Sequence, residues 1–129
     1  LVSGNEKKFF SHFIRKHAEK PEAFSEELLG LYAKSYEKPH TLHAAFEYYR
    51  ALPKSVLQNK EILAQGKLKM PLLAISGNGL GSLGQTQIDQ MNEYATQVEG
   101  HILDGCGHWL MEECPTQVEP LVLKFFNTK

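Results

Sequence analysis

The sequence predicts an α/β fold, with a helical segment at residues 1–66 followed by a β-α-β-α unit at residues 67–129. In the first half, apolar residues recur at helical spacing between helix-breaking prolines. In the second half, the short apolar run PLLAIS is entered through Pro71 and ended by glycines, as is typical of a buried parallel strand. An amphipathic stretch then separates this run from a second one, GHIL, by the length of a crossover connection.

Four helices are expected in the first half because prolines and capping residues delimit its amphipathic stretches. Pro21 ends the first helix, Ser25 begins the second, Thr41 can cap the third, and Pro53 starts the fourth, which Gly66 closes. The predicted helices span residues 5–20, 25–36, 41–54 and 54–65.

The second half is predicted to contain two strands and two helices. The strands lie within residues 67–79 and 100–105, and an amphipathic helix with Ile88 and Met91 facing inward lies between them. A final amphipathic helix covers residues 116–129, where Pro120 is tolerable only near the helix start or at a kink. Two parallel strands leave both edges of the sheet unpaired, and parallel sheets normally have many strands. The arrangement is therefore typical of the last part of a larger domain.

Composition excludes several classes of protein. The net charge is about −1, and the fourteen Lys and Arg residues are spread along the chain, which gives no footprint for nucleic acid. Apolar runs fall far short of the roughly 20 residues that a membrane span needs. Because no secretory signal is evident, Cys106 and Cys114 are expected to be free thiols in a reducing, cytoplasmic compartment. Their spacing with His108 matches no standard zinc site, so neither a metal nor a cofactor is expected.

The stretch DGCGHWLMEECP, residues 104–115, carries the main chemical signal. It places His108 on a glycine-built turn after the second strand, where the imidazole could be a zinc ligand, a catalytic base or a plain loop residue. Gly105 and Gly107 permit turn conformations that present a ring into a cleft at the carboxyl end of the sheet. Trp109 can anchor the loop in apolar packing, and Glu113 sits where the first turn of the last helix favours negative charge.

The second half of the sequence resembles the carboxyl-terminal end of α/β-hydrolases of the epoxide hydrolase and haloalkane or haloacetate dehalogenase type. The resemblance lies in MPLLAISGNG, in GHILDGCGHWLMEECP and in the helix that follows. In that family the catalytic histidine follows the last strand as Gly-His-aromatic, with a Glu-x-Pro phrase opening the final helix. The resemblance therefore implies that His108 is the catalytic general base. It also implies that residues 1–66 are part of a helical cap and residues 67–129 the end of the hydrolase core.

Two parts of the family's catalytic machinery have no counterpart in this sequence. No G-x-S-x-G or G-x-D-x-G nucleophile phrase occurs, so the resemblance implies a nucleophile upstream of residue 1 and an inactive isolated chain. The stretch SGNGLGSL after the first strand has no carboxylate. Asn78 could orient the imidazole without charge, whereas Asp89 is expected to be solvated and Asp104 to be a turn residue. The resemblance to haloacetate dehalogenases favours a different location for the acid of the catalytic triad, upstream of this chain.

The phrase FEYYRAL resembles the cap phrases in which a tyrosine binds substrate. The resemblance implies that Tyr49, followed by Arg50, donates a hydrogen bond to an epoxide oxygen or a departing halide. The alternative is that Tyr48 and Tyr49 are core or rim residues of an amphipathic helix. Trp109, next to His108, is the second candidate substrate-binding residue.

Two classes of function follow. The first is part of a hydrolase acting on a small apolar electrophile, an epoxide, organohalide or ester, through a covalent intermediate. The second is a non-catalytic helical and βαβ module that binds a partner through its open sheet edge or its apolar helical face. In either case we expect self-association or pairing with a missing amino-terminal half.

Overall fold

The computed structural model describes residues 2–127, apart from the side chain of Pro39, and the chain divides into two units. The first unit contains the chain up to Arg15 together with Phe24–Gly66. The second contains Lys16–Ala23 and the chain from Lys67 onward. Residues 16–23 thus group with the β-α-β-α half, although they precede residue 66 in sequence.

Three α-helices account for the helical half: α1 (Glu6–Lys16), α2 (Glu26–Ser35) and α3 (Pro39–Leu63). Ser25 caps α2 as predicted, since its side chain accepts a hydrogen bond from the Leu28 N–H at 3.1 Å. No helix within residues 2–127 combines the length and the apolar character that crossing a membrane requires.

The predicted break at Pro53 is wrong, because this proline lies inside α3, which is 25 residues long. Thr41 is not the cap either, since the helix begins at Pro39 after Lys38. Proline has a φ that suits a helix, and it removes only one backbone hydrogen bond, although this usually costs about 3 kcal/mol. Strong helix formers on both sides, such as Leu52 and Lys54, favour continuation.

Buried aliphatic residues and contacts between aromatic rings hold the first unit together. Phe10 stacks on Tyr36 with ring centroids 4.3 Å apart, and Phe9 meets Phe46 edge-on at 6.5 Å. Leu29 of α2 is fully buried.

On the surface of the same unit, a hydrogen bond from Arg15, with Lys7 nearby, holds the pKa of the exposed Glu26 carboxyl below its usual value.

In the second unit, strands β1 (Leu72–Gly77) and β2 (Val98–Leu103) pair in parallel, in a register that runs from Leu72 opposite Val98 to Gly77 opposite Leu103. Helix α4 (Gln85–Tyr94) forms the crossover between them. It packs tightly on β2, because a Cβ added at Gly100 would lie 2.4 Å from the Ile88 side chain. Within the described residues the sheet has only these two strands.

A short helix, α5 (Leu110–Glu113), and a longer one, α6 (Pro115–Asn127), follow β2. Pro120 lies inside α6, in its amino-terminal half. The predicted continuation of this helix to residue 129 lies outside the described residues. Buried residues from β2, the loop after it, the junction between α5 and α6, and α6 itself form one apolar cluster: Leu103, Cys106, Cys114 and Val118. This cluster supports the loop that carries His108.

Candidate active site

His108 lies on the loop between β2 and α5, at the carboxyl end of the parallel strands. Open α/β sheets bind ligands at this end. Gly105 adopts a φ of +63°, in the left-handed region that favours glycine, and this turns the chain sharply after β2. The imidazole is exposed and meets the Trp109 ring edge-on, with centroids 4.6 Å apart.

Two loops, one after each strand, are joined by hydrogen bonds around His108. The Gly79 N–H donates to the carbonyl of Cys106 at 2.8 Å, and the Ser82 hydroxyl donates to the carbonyl of Gly107 at 2.6 Å. The contact is so close that a Cβ at Gly77 would lie 1.9 Å from the Cys106 oxygen. These bonds hold the His108 loop against the end of β1.

The ring of His108 is oriented by Gly81, whose carbonyl oxygen lies 3.0 Å from Nδ1. A carbonyl only accepts, so in this hydrogen bond the proton belongs to Nδ1. The neutral ring then carries its lone pair on Nε2, which is the form of histidine that acts as a base.

A cleft of about 380 Å³ lies beside the ring. Ligand pockets usually begin at about 300 Å³, so this volume suits a small molecule. Its walls are the end of β1, the loop after β1, Gln87 and Leu110, with His108 at its border.

Asn78 does not orient the imidazole, contrary to the possibility that the sequence raised. Its amide nitrogen donates to the Asp104 carboxylate at 2.7 Å, and its oxygen accepts from the Gly105 N–H at 2.9 Å. Asp104 is therefore part of the connection between the two loops. Nδ1 of His108 bonds to a backbone carbonyl rather than to a carboxylate. A triad acid supplied from upstream of this chain therefore stays a prediction.

Cys106 and Cys114 are joined in a disulfide, so the prediction of free thiols is wrong. The turn at Gly105 and the short helix α5 bring the two buried cysteines together, with Cα atoms 6.0 Å apart. Disulfides persist mainly in oxidising environments. The expectation of a cytoplasmic location rested partly on free thiols, and the disulfide removes that part of its support. The bond closes a loop that contains both His108 and Glu113.

Removing this disulfide is expected to lower the free energy of unfolding by about 2–3 kcal/mol, the usual scale for a short closed loop. The test is chemical denaturation of the full-length protein and of its Cys106→Ala/Cys114→Ala variant, each with and without a thiol reductant. Reductant should destabilise only the parent protein. Equal stability of the parent and the variant would contradict the expectation.

Glu113 is a site residue that sequence reasoning missed, because it read this side chain only as favourable charge at a helix start. Its buried carboxylate accepts backbone hydrogen bonds from both neighbours of His108: Gly107 at 3.1 Å and Trp109 at 3.0 Å. It also accepts from Glu19 at 2.8 Å and Lys20 at 2.9 Å. No local pattern in the sequence signals these partners, which lie 93 and 94 residues away.

The segment after α1 was also missed. The carbonyl of His17 accepts the His108 N–H at 3.3 Å, and the Glu19 carboxylate accepts the Leu80 N–H at 2.8 Å. Residues 17–20 thus contact both loops at the carboxyl end of the sheet, although the sequence assigns them to the helical segment.

The two predicted substrate-binding residues lie in different units. Trp109 is half-buried beside His108 in the second unit. Tyr49 lies on α3 in the first unit and is 59% exposed, so it is not a core residue of that unit. Its contribution to the site stays a prediction.

Comparison with known proteins identifies relatives, although no protein-family profile matches the sequence. The soluble epoxide hydrolase of Corynebacterium sp. strain C12 is 30% identical over 106 residues, which are 82% of this chain and 36% of that protein. The chain therefore spans little more than a third of this relative.

Solved structures agree with this similarity. Cfl2 of Burkholderia cenocepacia matches with a TM-score of 0.89 and 31% identity, covering 98% of this chain and 42% of that one. The Cif epoxide hydrolase of Acinetobacter nosocomialis matches with a TM-score of 0.82 and 34% identity, covering 94% and 41%. These matches confirm the predicted fold class. The chain belongs to the α/β-hydrolase superfamily, among its epoxide hydrolase-like members, and corresponds to part of their length.

Proposed function

We propose that the full-length protein hydrolyses a small apolar epoxide through a covalent intermediate, with His108 as the general base. The observation that carries this proposal is the imidazole beside a cleft of about 380 Å³, with Nδ1 engaged by the Gly81 carbonyl and the lone pair on Nε2. Similarity to proteins named as epoxide hydrolases favours an epoxide over an organohalide or an ester.

The reaction has two steps. A carboxylate upstream of this chain attacks an epoxide carbon, the C–O bond of the ring breaks, and an ester forms. The new alkoxide takes a proton from a donor in the helical segment, for which Tyr49 is the candidate. Nε2 of His108 then takes a proton from water while the water oxygen attacks the ester carbonyl. The ester oxygen leaves as the second hydroxyl of the diol, with the hydrogen that the attacking water retained. The carboxylate is regenerated, and the proton on the imidazolium returns through solvent to the phenolate left on the donor.

The substrate class is tested by assaying the purified full-length protein with a small apolar epoxide, a haloalkane, haloacetate and a short-chain ester. We expect hydrolysis of the epoxide and a G-x-D-x-G phrase in the upstream sequence. A G-x-S-x-G phrase with activity on the ester alone would contradict the epoxide assignment.

Residues 1–129 produced alone are expected to be inactive with all of these substrates, because they contain no nucleophile phrase. The isolated chain should also self-associate, since β1 pairs with β2 on one side only within the described residues. Light scattering should then detect a dimer or a larger species. A compact monomer that binds no 8-anilinonaphthalene sulfonate at high concentration would contradict this expectation.

A further inference from the structure

We propose that Glu113 is a positioning residue, which fixes the backbone on both sides of His108 and thereby sets the location of the imidazole. This inference rests on the proposed function, because it concerns the step in which His108 acts. Glu113 is not itself a catalytic residue, since its carboxylate contacts backbone N–H groups and not the reacting atoms.

Three consecutive backbone amides around the imidazole are held. The Glu113 carboxylate takes the N–H groups of Gly107 and Trp109, at 3.1 and 3.0 Å, and the carbonyl of His17 takes the N–H of His108 at 3.3 Å. A loop whose successive amides are all bonded has little freedom to shift. Since the His108 ring extends from the middle amide, its position follows from these bonds.

The same carboxylate connects this loop to the segment after α1. Oε2 accepts from Glu19 and Lys20 at 2.8 and 2.9 Å, as well as from Gly107, whereas Oε1 accepts from Trp109. The His17 carbonyl therefore belongs to a segment that Glu113 itself holds. Both supports of the His108 backbone depend on one side chain.

The site needs a carboxylate in particular. An ionised carboxyl is acceptor-only, with about four lone-pair positions, and four N–H groups point at it. A glutamine keeps one oxygen but turns an –NH₂ group toward amide donors on one side. An aspartate keeps the charge but is one methylene shorter, so it cannot reach both sides of the loop at once.

Gly107 provides a second, independent sign of this arrangement. A Cβ at this position would lie 2.8 Å from both carboxylate oxygens of Glu113 and 2.6 Å from the Glu19 nitrogen. Only glycine allows the backbone before His108 to approach the carboxylate this closely. Glycine at position 107 therefore serves the contact with Glu113, whereas the left-handed turn of this loop lies at Gly105.

The test separates the two steps of the reaction in the full-length protein. His108 acts only on the second step, so Glu113→Gln should slow breakdown of the covalent ester by about 100-fold, the scale of a catalytic group misplaced by about 1 Å. Formation of the ester should change little. Rapid-quench mixing with a small apolar epoxide, followed by intact-mass measurement, gives both rates, and thermal unfolding gives the folded fraction.

Glu119→Gln is the matched control, because Glu119 is an exposed glutamate on the neighbouring helix α6. It should leave both rates unchanged. Glu113→Asp should accumulate the ester as Glu113→Gln does, but to a smaller extent.

The positioning role would be overturned if both steps slowed equally in the Glu113 variants, or if activity fell only in proportion to the fraction of unfolded protein. Either result would leave Glu113 with a structural role alone. Failure of both variants to fold would do the same. His108→Gln, measured in parallel, distinguishes the two levels of the account. If this variant also accumulates no ester, the proposed function itself fails; if only the Glu113 variants accumulate none, the failure is confined to Glu113.

Discussion

His108→Gln in the full-length protein is expected to lower kcat for epoxide hydrolysis by about 10²- to 10⁴-fold, the usual contribution of a positioned general base. Glutamine approximates the size of the ring and can still bond to Gly81, but it has no nitrogen that takes a proton from water. Steady-state kinetics measures the loss, and KM should not rise in proportion, because binding of the epoxide does not use the base.

The matched control is His12→Gln, since His12 is an exposed histidine on α1 in the first unit. It should retain the parent kcat. If His108→Gln kept most of its turnover, His108 would be an ordinary loop residue and the assignment would fail.

Tyr49→Phe is expected to lower kcat by about 10- to 1,000-fold, on the scale of losing one hydrogen-bond donor to a transition state. The phenol is neutral at pH 7 and can donate to the oxygen on which charge develops when the epoxide opens. Because the side chain is 59% exposed, the free energy of unfolding should change by less than about 0.5 kcal/mol. Kinetics and thermal unfolding of the same preparation measure both effects.

Tyr48→Phe is the control for this substitution, because Tyr48 is the adjacent residue of α3 and is similarly exposed at 68%. It should keep both activity and stability. A Tyr49→Phe variant that loses stability but keeps its activity would instead make Tyr49 a packing residue.

Much of the fold was predictable because local patterns determine it. The apolar run ending at Gly77 and the amphipathic stretch around Ile88 each indicated the element that forms there. Ser25 capped the helix that its position predicted. The location of His108 was also predictable, since two glycines and an aromatic residue after the last strand specify the turn.

Other features were missed for two reasons: one local rule was too strict, and some contacts depend on how distant parts of the chain pack together. Local rules treat Pro53 as a helix boundary, yet the energetic cost of a single missing hydrogen bond did not end α3. The pairing of Cys106 with Cys114 depends on how the intervening turn and α5 fold back. The role of Glu113 depends on Glu19 and Lys20, which no pattern of sequence spacing connects to it.

The central claim is that His108 activates the water that breaks a covalent ester. The most direct measurement is the intact mass of the full-length His108→Gln variant after mixing with a small apolar epoxide. The account predicts a stoichiometric species heavier than the variant by the mass of one epoxide, linked to an upstream carboxylate, while the parent protein accumulates little of it. An unmodified variant that still converts the epoxide to diol would contradict the account.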